Sequence, residues 1–305
     1  TGASGFVGRH LVRQAAALGY ETVGIVRNPA GAEAVKADGG RAVVVPALLA
    51  DDLVPALAGC RAVVHLAQIG AERDGLTYQA VNIGGTAAVV AAARKAGVSR
   101  VVLFSGLGVA SFGRKPRCTT RYFLSKLEAE LLLYRSGLEA VVFRPSYIVG
   151  PGDAFVPALL QDLQGGAVER VGDGSYRLQP IAVRDAAELV LAALLRPPLG
   201  AVRAGEFAAV VYDLVGPEAV TYQAFLERLA AVAREHGRSA ELRVREVSVA
   251  FADEAARAGG WRGLGPDELD CVLCDEVSDP SPLEGILGRV LTPLDEALGR
   301  VVRAS

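Results

Sequence analysis

Apolar residues follow two alternating rhythms along the first half of the 305-residue chain. Short runs that are apolar at nearly every position predict strands at Thr22–Val26, Ala42–Val45, Ala62–Leu66, Arg100–Phe104 and Ala140–Phe143. Between them lie stretches with helical spacing: Phe6–Leu18, Asp51–Leu57, Tyr78–Ala96 closed by Gly97, and Arg121–Ser136 closed by Gly137. Strands apolar throughout are buried on both faces, so the sheet is expected to be parallel with helices on each side. The alternation predicts an α/β fold with a Rossmann-type doubly wound parallel sheet.

After Pro151 the rhythm loosens. Asp185–Leu195, Tyr222–His236 and Asp267–Leu273 read as helical, and Phe207–Leu214 and Leu242–Val249 as extended. The expected organisation is a dinucleotide-binding domain at 1–150 and a smaller α+β substrate part at 151–305. The second part is expected not to fold alone and to form one wall of a cleft.

Composition changes this picture only at its edges. An apolar fraction of 51% raises the question of a membrane span. A spanning helix needs about 18 uninterrupted apolar residues, and Asp51-Asp52, Arg94-Lys95 and Arg196-Pro-Pro interrupt the richest runs. The chain therefore reads as soluble and cytoplasmic, without a transmembrane segment or a signal-peptide pattern at its start; peripheral association with a membrane stays open. A net charge of −2 argues against nucleic acid as partner. The state expected is a monomer or homodimer acting on a small organic molecule. Cys271-x-x-Cys274, Cys60 and Cys118 read as packed thiols in a reducing compartment. His10, His65 and His236 share no metal-ligand spacing, and no metal is expected. Trp261 either lines a cleft or anchors the C-terminal part.

The chemistry begins at the first residues. Thr1-Gly2-Ala3-Ser4-Gly5-Phe6-Val7-Gly8 carries glycines at 2, 5 and 8 directly before a helical pattern. Such a loop turns tightly, lets the backbone approach a pyrophosphate and packs the helix closely. The helix N-terminus adds free N–H donors. The strand that should precede the loop is not in the sequence, which also has no Met, so further residues are expected ahead of Thr1. At the end of the next predicted strand an acid would suit a ribose 2′-hydroxyl and an Arg a 2′-phosphate. Arg27 and Asn28 stand there, which favours NADP(H) over NAD(H).

Tyr122 and Lys126 are spaced i, i+4, which puts both on one helix face. A free tyrosine has a pKa of about 10, and a neighbouring ammonium lowers it by favouring the phenolate.

These segments together resemble the extended and atypical branches of the short-chain dehydrogenase/reductase superfamily, over nearly the whole chain. The glycine loop, Val63-Val64-His65-Leu66-Ala67, Val81-Asn82-Ile83-Gly84-Gly85-Thr86, Tyr122-x-x-x-Lys126, and Arg144-Pro145-Ser146 with Gly150-Pro151-Gly152 carry the resemblance. Gln179-Pro180-Ile181, Val183-x-Asp185-x-Ala187, Pro282-Leu283-Glu284-Gly285-x-x-Gly288-Arg289 and Leu294-Asp295-Glu296-x-Leu298 are similar to proteins like the NADPH-binding accessory subunit of respiratory complex I.

The resemblance implies a dinucleotide held by Gly2, Ser4, Gly5, Phe6, Val7, Gly8, Arg27, Leu66, Ala67, Asn82, Ser105, Tyr122, Lys126, Pro145 and Ser146. It implies hydride transfer with Tyr122 as acid/base and Lys126 on the nicotinamide ribose. It also implies a hydroxyl past the strand ending at Phe104, a position that falls near Leu107 or Gly108 here. Ser105 and Ser111 are the nearest candidates, and Ser105 is taken as the catalytic one. Phe112–Thr119 reads as a mobile loop. Pro46-Ala47-Leu48 replaces the Gly-Asp-Leu common in relatives, removing one adenine contact. Two functions follow: an NADP(H)-dependent oxidoreductase, or a non-catalytic NADPH-binding structural, assembly or sensor protein.

Overall fold

A computed structural model describes residues 1–49, 52–196 and 209–305. In chain order the elements are α1 (Phe6–Ala17), β1 (Val23–Val26), α2 (Pro29–Ala37), β2 (Arg41–Val44), α3 (Val54–Leu57) and β3 (Ala62–His65). A π-helical turn, Gln79–Gly84, leads into α4 (Gly85–Lys95), followed by β4 (Arg100–Phe104), a 3-10 turn Leu107–Ser111, α5 (Arg121–Tyr134) and β5 (Glu139–Pro145). Then come β6 (Ile148–Val149), α6 (Phe155–Gln164), β7 (Val168–Val171), β8 (Arg177–Leu178), β9 (Ile181–Ala182) and α7 (Val183–Leu195). The last elements are β10 (Ala209–Leu214), β11 (Val220–Thr221), α8 (Tyr222–Glu235), β12 (Val244–Val247), α9 (Val249–Ala258), α10 (Pro266–Leu273), α11 (Ser281–Leu287) and α12 (Leu294–Ala304).

These elements form two compact units. One comprises Thr1–Val109, Arg121–Arg144 and Ala186–Tyr212; the other comprises Ala110–Thr120, Pro145–Asp185 and Asp213–Ser305. In the first unit β1 and β2 pair in parallel. β3, β4 and β5 pair in parallel and, with β10, make a four-stranded sheet ordered β10-β5-β4-β3. All five residues of β4 are buried, as its unbroken apolar run requires of a strand covered on both faces. Val89 and Ala93 of α4 and Ala129 and Leu133 of α5 share a core with Val101, Leu103 and Val142. Each such side chain stabilises the fold by roughly 1.5–3 kcal/mol if fully buried, less for alanine.

α5 is tied to this sheet by charge as well. Glu130, with a fully buried side chain, receives Arg144 Nε at 2.9 Å and Nη2 at 2.6 Å, and the Tyr134 hydroxyl at 3.0 Å. At the other end of the strands, Arg100 pairs with Glu139 through two 2.9 Å bonds and donates to the last carbonyls of α7 at Ala193 and Leu194. A cation at a helix C-terminus complements both its orphan carbonyls and its dipole.

The second unit has a core of its own. Phe225, Leu226 and Leu229 of α8 pack with Leu159 and Leu163 of α6 and Leu298 and Val302 of α12. Short pairs β6–β9 and β7–β12 run parallel and β8–β11 antiparallel. α12 went unpredicted, although Leu294, Ala297, Leu298, Val301 and Val302 are all buried at helical spacing. Trp261 packs with Val171, Ala252, Ala256 and Leu269, an anchoring role.

Several boundaries differ from the sequence expectation. The expected helix Asp51–Leu57 is one turn, Val54–Leu57, because the Asp52 carboxylate accepts the Val54 N–H ahead of it; Asp51 lies outside the described residues, as do Phe207 and Ala208 ahead of β10. The expected loop Phe112–Thr119 carries an anchor: Arg117 pairs with Asp253 at 3.0 Å and with Asp270. Two segments tied only by resemblance, around Asp185 and around Arg289, meet in space. Fully buried Asp185 accepts from Arg289 Nη2 at 2.8 Å, Thr292 N at 2.6 Å and Thr292 Oγ1 at 3.1 Å.

Replacing Asp185 with Ala leaves a buried amide and hydroxyl without their acceptor. Asp185→Ala is expected to lower the unfolding free energy by roughly 2–4 kcal/mol. Urea denaturation measures this, and unchanged stability would contradict the anchoring role.

Candidate active site

The glycine loop is closed by contacts that leave no room for side chains. Gly2 has φ +71°, and a Cβ there would lie 2.8 Å from Ala67 N and 3.0 Å from the Leu66 carbonyl carbon. A Cβ on Gly8 would lie 2.3 Å from Gly2 O. Gly5 N donates to Gly2 O at 3.0 Å. The loop thus sits on the exit of β3, at Leu66 and Ala67. Gly5 caps α1 with no side-chain hydrogen bond, unlike Asn28 on α2 or Thr221 on α8. The first-turn N–H groups at Phe6 and Val7 therefore face no capping side chain, the arrangement that receives a phosphate. This cradle fits a dinucleotide pyrophosphate.

Beside the cradle, α2 begins where only a loop was expected. Asn28 Oδ1 accepts from Gly31 N at 2.9 Å, and Pro29 occupies the first helical position, a start signal present in the sequence. A Cβ on Gly31 would lie 3.0 Å from Ser4 Oγ, so Ser4 of the loop abuts this helix start. Arg27, just before it, is exposed.

α5 supplies Tyr122 and Lys126. Lys126 is 3% exposed and its Nζ donates to Gln68 Oε1 at 2.5 Å. Burial pushes this ammonium down from 10.5 to about 7. Gln68 was not singled out in the sequence; its only signal is its place directly after Leu66-Ala67. His65, 2% exposed, is kept neutral chiefly by burial, and its Nε2 has no hydrogen-bond partner.

Asn82 lies in the π-helical turn, a feature often found at functional sites. Its Oδ1 accepts from Ile69 N at 2.9 Å, and its Nδ2 donates to Ile69 O at 3.1 Å and Ser125 Oγ at 3.0 Å. The side chain fastens the 68–70 segment to α5. The single regular helix expected over Tyr78–Ala96 is therefore a π turn followed by α4.

The Tyr122 ring lies beside Tyr78 at 5.9 Å and Phe123 at 5.4 Å between centroids. Ser105, the expected catalytic serine, is fully buried and its Oγ has no hydrogen-bond partner among the described residues. At Gly108 a Cβ would lie 2.2 Å from Phe123 Cζ, so the Phe123 ring takes the space a side chain there would need. In the second unit Pro145 ends β5, and Ser146 Oγ donates to Glu276 O at 3.2 Å and accepts from Gln179 N at 3.3 Å. Among the described residues no group of three His, Cys, Asp or Glu could hold a metal, and no helix is long and apolar enough to cross a membrane.

Comparison with known proteins agrees with this geometry. Residues 2–197 match the NAD(P)H-binding family. The 4-hydroxy-2-methyl-3-oxo-4-farnesyl-3,4-dihydroquinoline-1-oxide ketoreductase of Stigmatella aurantiaca is 30% identical over 284 residues, 87% of this chain and 81% of that protein. The ceramide reductase of Caulobacter vibrioides is 33% identical over 210 residues, 66% of this chain and 62% of that protein. The mitochondrial NADH dehydrogenase (ubiquinone) 1 alpha subcomplex subunit 9 of Arabidopsis thaliana is 26% identical over 249 residues, 79% of this chain and 59% of that protein. The fold matches MoeE5, solved with UDP-glucuronic acid and NAD, with a TM-score of 0.74 at 23% identity over 99% of this chain and 96% of that one. The chain belongs to the NAD(P)H-binding family. The family and the reductase names of two of these relatives support an NAD(P)H-dependent oxidoreductase.

The buried ammonium gives a test free of cofactor. Lys126 releases its proton near pH 7 when folded and at 10.5 when unfolded. Its burial therefore costs the fold most below pH 7, and stability is regained as pH rises from 7 towards 10.5. Lys126→Met should be more stable than the parent chain at pH 6, on the order of a few kcal/mol, with the gap closing by pH 10. Denaturant titrations of the dinucleotide-free protein at both pH values check this; a gap independent of pH would contradict the assignment.

Proposed function

We propose that the chain uses NADPH to reduce a ketone on a substrate bearing a long hydrocarbon chain, with Tyr122 as the proton donor. The observation that carries the proposal is the placement of Tyr122 and buried Lys126 one turn apart on α5. Two relatives support the substrate class, since one is named a ketoreductase of a farnesyl-bearing quinoline oxide and the other a ceramide reductase. The proposal includes a cytoplasmic location, consistent with four free cysteines.

Gly2, Ser4, Gly5, Phe6, Val7 and Gly8 would hold the pyrophosphate, and Leu66 and Ala67 the adenosine side. When bound, the reduced dinucleotide supplies a hydride to the carbonyl carbon. Tyr122 gives its hydroxyl proton to the carbonyl oxygen, so the ketone becomes an alcohol and the tyrosine a phenolate. The Lys126 ammonium stabilises that phenolate and, beside Gln68, would hydrogen-bond the nicotinamide ribose. Asn82 keeps the 68–70 segment in place. Pro145 and Ser146 are assigned to the nicotinamide side by resemblance alone. NADPH over NADH rests on Arg27, exposed at the end of β1 with no acid beside it.

A second reading has its own support. Phe123 occupies the space at Gly108, so no hydroxyl side chain stands at that point to polarise a carbonyl; one such donor contributes roughly 10²–10³ in rate. A non-catalytic NADPH-binding protein, as the likeness to the complex I subunit suggests, would tolerate this.

Turnover separates the two. With NADPH and long-chain ketones, Tyr122→Phe should lower kcat by ~10²–10⁴ while NADPH still binds; tight NADPH binding with no turnover in the parent chain selects the second reading. Arg27→Ala should raise the Kd for NADPH about 10-fold or more and leave that for NADH nearly unchanged. Equal loss for both dinucleotides, measured by fluorescence titration, would remove the 2′-phosphate assignment.

A further inference from the structure

We propose that Phe123, seated in the notch left by Gly106 and Gly108, is a positioning residue that aims the Tyr122 hydroxyl. This rests on the reading of Tyr122 as the proton donor.

The argument runs from the strand outwards. β4 ends at Phe104 and the backbone turns through Gly106 and Gly108. A Cβ on Gly108 would lie 2.2, 2.4 and 2.6 Å from three atoms of the Phe123 ring, and one on Gly106 would lie 3.4 Å from the same ring. The ring thus rests directly on bare backbone, and Phe123 is 1% exposed. Its direction is set by the main chain after β4, which does not move with side-chain rotamers.

Tyr122 is the next residue on the helix, half-exposed. Its ring meets Phe123 at a 52° interplanar angle and Tyr78 at 56°. Tyr78 is fixed in its turn: its hydroxyl donates to Gly70 O at 2.9 Å and its N–H to Glu72 Oε1 at 2.8 Å. A tyrosine pivots about two side-chain bonds, so an unbraced ring would sweep its hydroxyl across the site. Here two braced aromatic rings limit that sweep. Tilted packing of this kind is favoured by the ring quadrupoles. Proton transfer requires the hydroxyl within hydrogen-bond reach of the substrate oxygen, and a displacement of about 1 Å can cost ~10²-fold in rate.

The notch and the ring must match in size. An added methyl at Gly108 pushes Phe123 out; a smaller residue at 123 removes one of the rings that brace Tyr122. The two changes should therefore compensate when combined, which independent structural damage would not do.

The experiment uses the full chain with four variants: Gly108→Ala, Phe123→Ala, Phe123→Leu and the double variant Gly108→Ala/Phe123→Leu. With NADPH and a long-chain 3-oxo fatty acid, Gly108→Ala and Phe123→Ala are each expected to lower kcat by ~10- to 100-fold, with KM and NADPH affinity within about threefold of the parent. The double variant should exceed Gly108→Ala in kcat. A second readout needs no turnover: ¹³C-tyrosine NMR of the dinucleotide-free chain, with Tyr122 assigned through Tyr122→Phe. The Tyr122 ring signals should shift or broaden in both single variants and return towards the parent in the double variant. Unchanged Tyr122 signals in Phe123→Ala, or purely multiplicative losses in the double variant, would overturn the proposal. Turnover unaffected by Tyr122→Phe would instead overturn the reading it rests on, while the NMR result still decides whether Phe123 holds the ring.

Discussion

The candidate site hangs on the amide of Asn82. With one oxygen and one nitrogen it joins the π-helical turn to the segment after β3 and to Ser125 of α5. Gln68, which receives Lys126, belongs to that segment, and Lys126 belongs to that helix. The amide therefore sets the distance between the ammonium and its partner. Asn82 is 1% exposed, so water competes little for these bonds. A buried amide with unmet donors would cost more than the bonds contribute, which makes the junction all-or-none.

Around this junction the first unit holds its chemistry by two opposite means. The glycine loop excludes side chains so that backbone N–H groups stay available for an anion. α5 instead buries an ammonium that the apo fold would rather expose. The helix can hold that charge because it is fastened twice more, by Glu130 to Arg144 and by Ala129 and Leu133 in the core. Burying that ammonium costs the fold stability.

Much of the architecture was legible in the chain. β4 spans Arg100–Phe104 as its apolar run predicted, and α1, α5 and α8 agree with their patterns within two residues. These elements obey one period throughout, and burial follows the period. The π turn was not legible, because Tyr78–Ala96 keeps helical spacing while the Asn82 side chain draws its backbone out of the regular ladder. α12 has a strong amphipathic pattern, with Leu294, Ala297, Leu298, Val301 and Val302 buried at helical spacing, at the very end of the chain. Asp185 and Arg289 stand 104 positions apart in the chain, and nothing local announces that they touch.

By itself the sequence determined the parallel α/β fold, the glycine loop ahead of α1 and the placement of Tyr122 and Lys126 one turn apart on α5. Each depends on local spacing: consecutive apolar residues, glycines three apart, and a helical i, i+4 step. Only the tertiary structure decided that Gln68 receives Lys126, that Ser105 is shut away from solvent, and that Phe123 fills the space at Gly108. Those outcomes depend on which surfaces meet when the strands and helices pack, and packing distances are set by residues far apart in the chain.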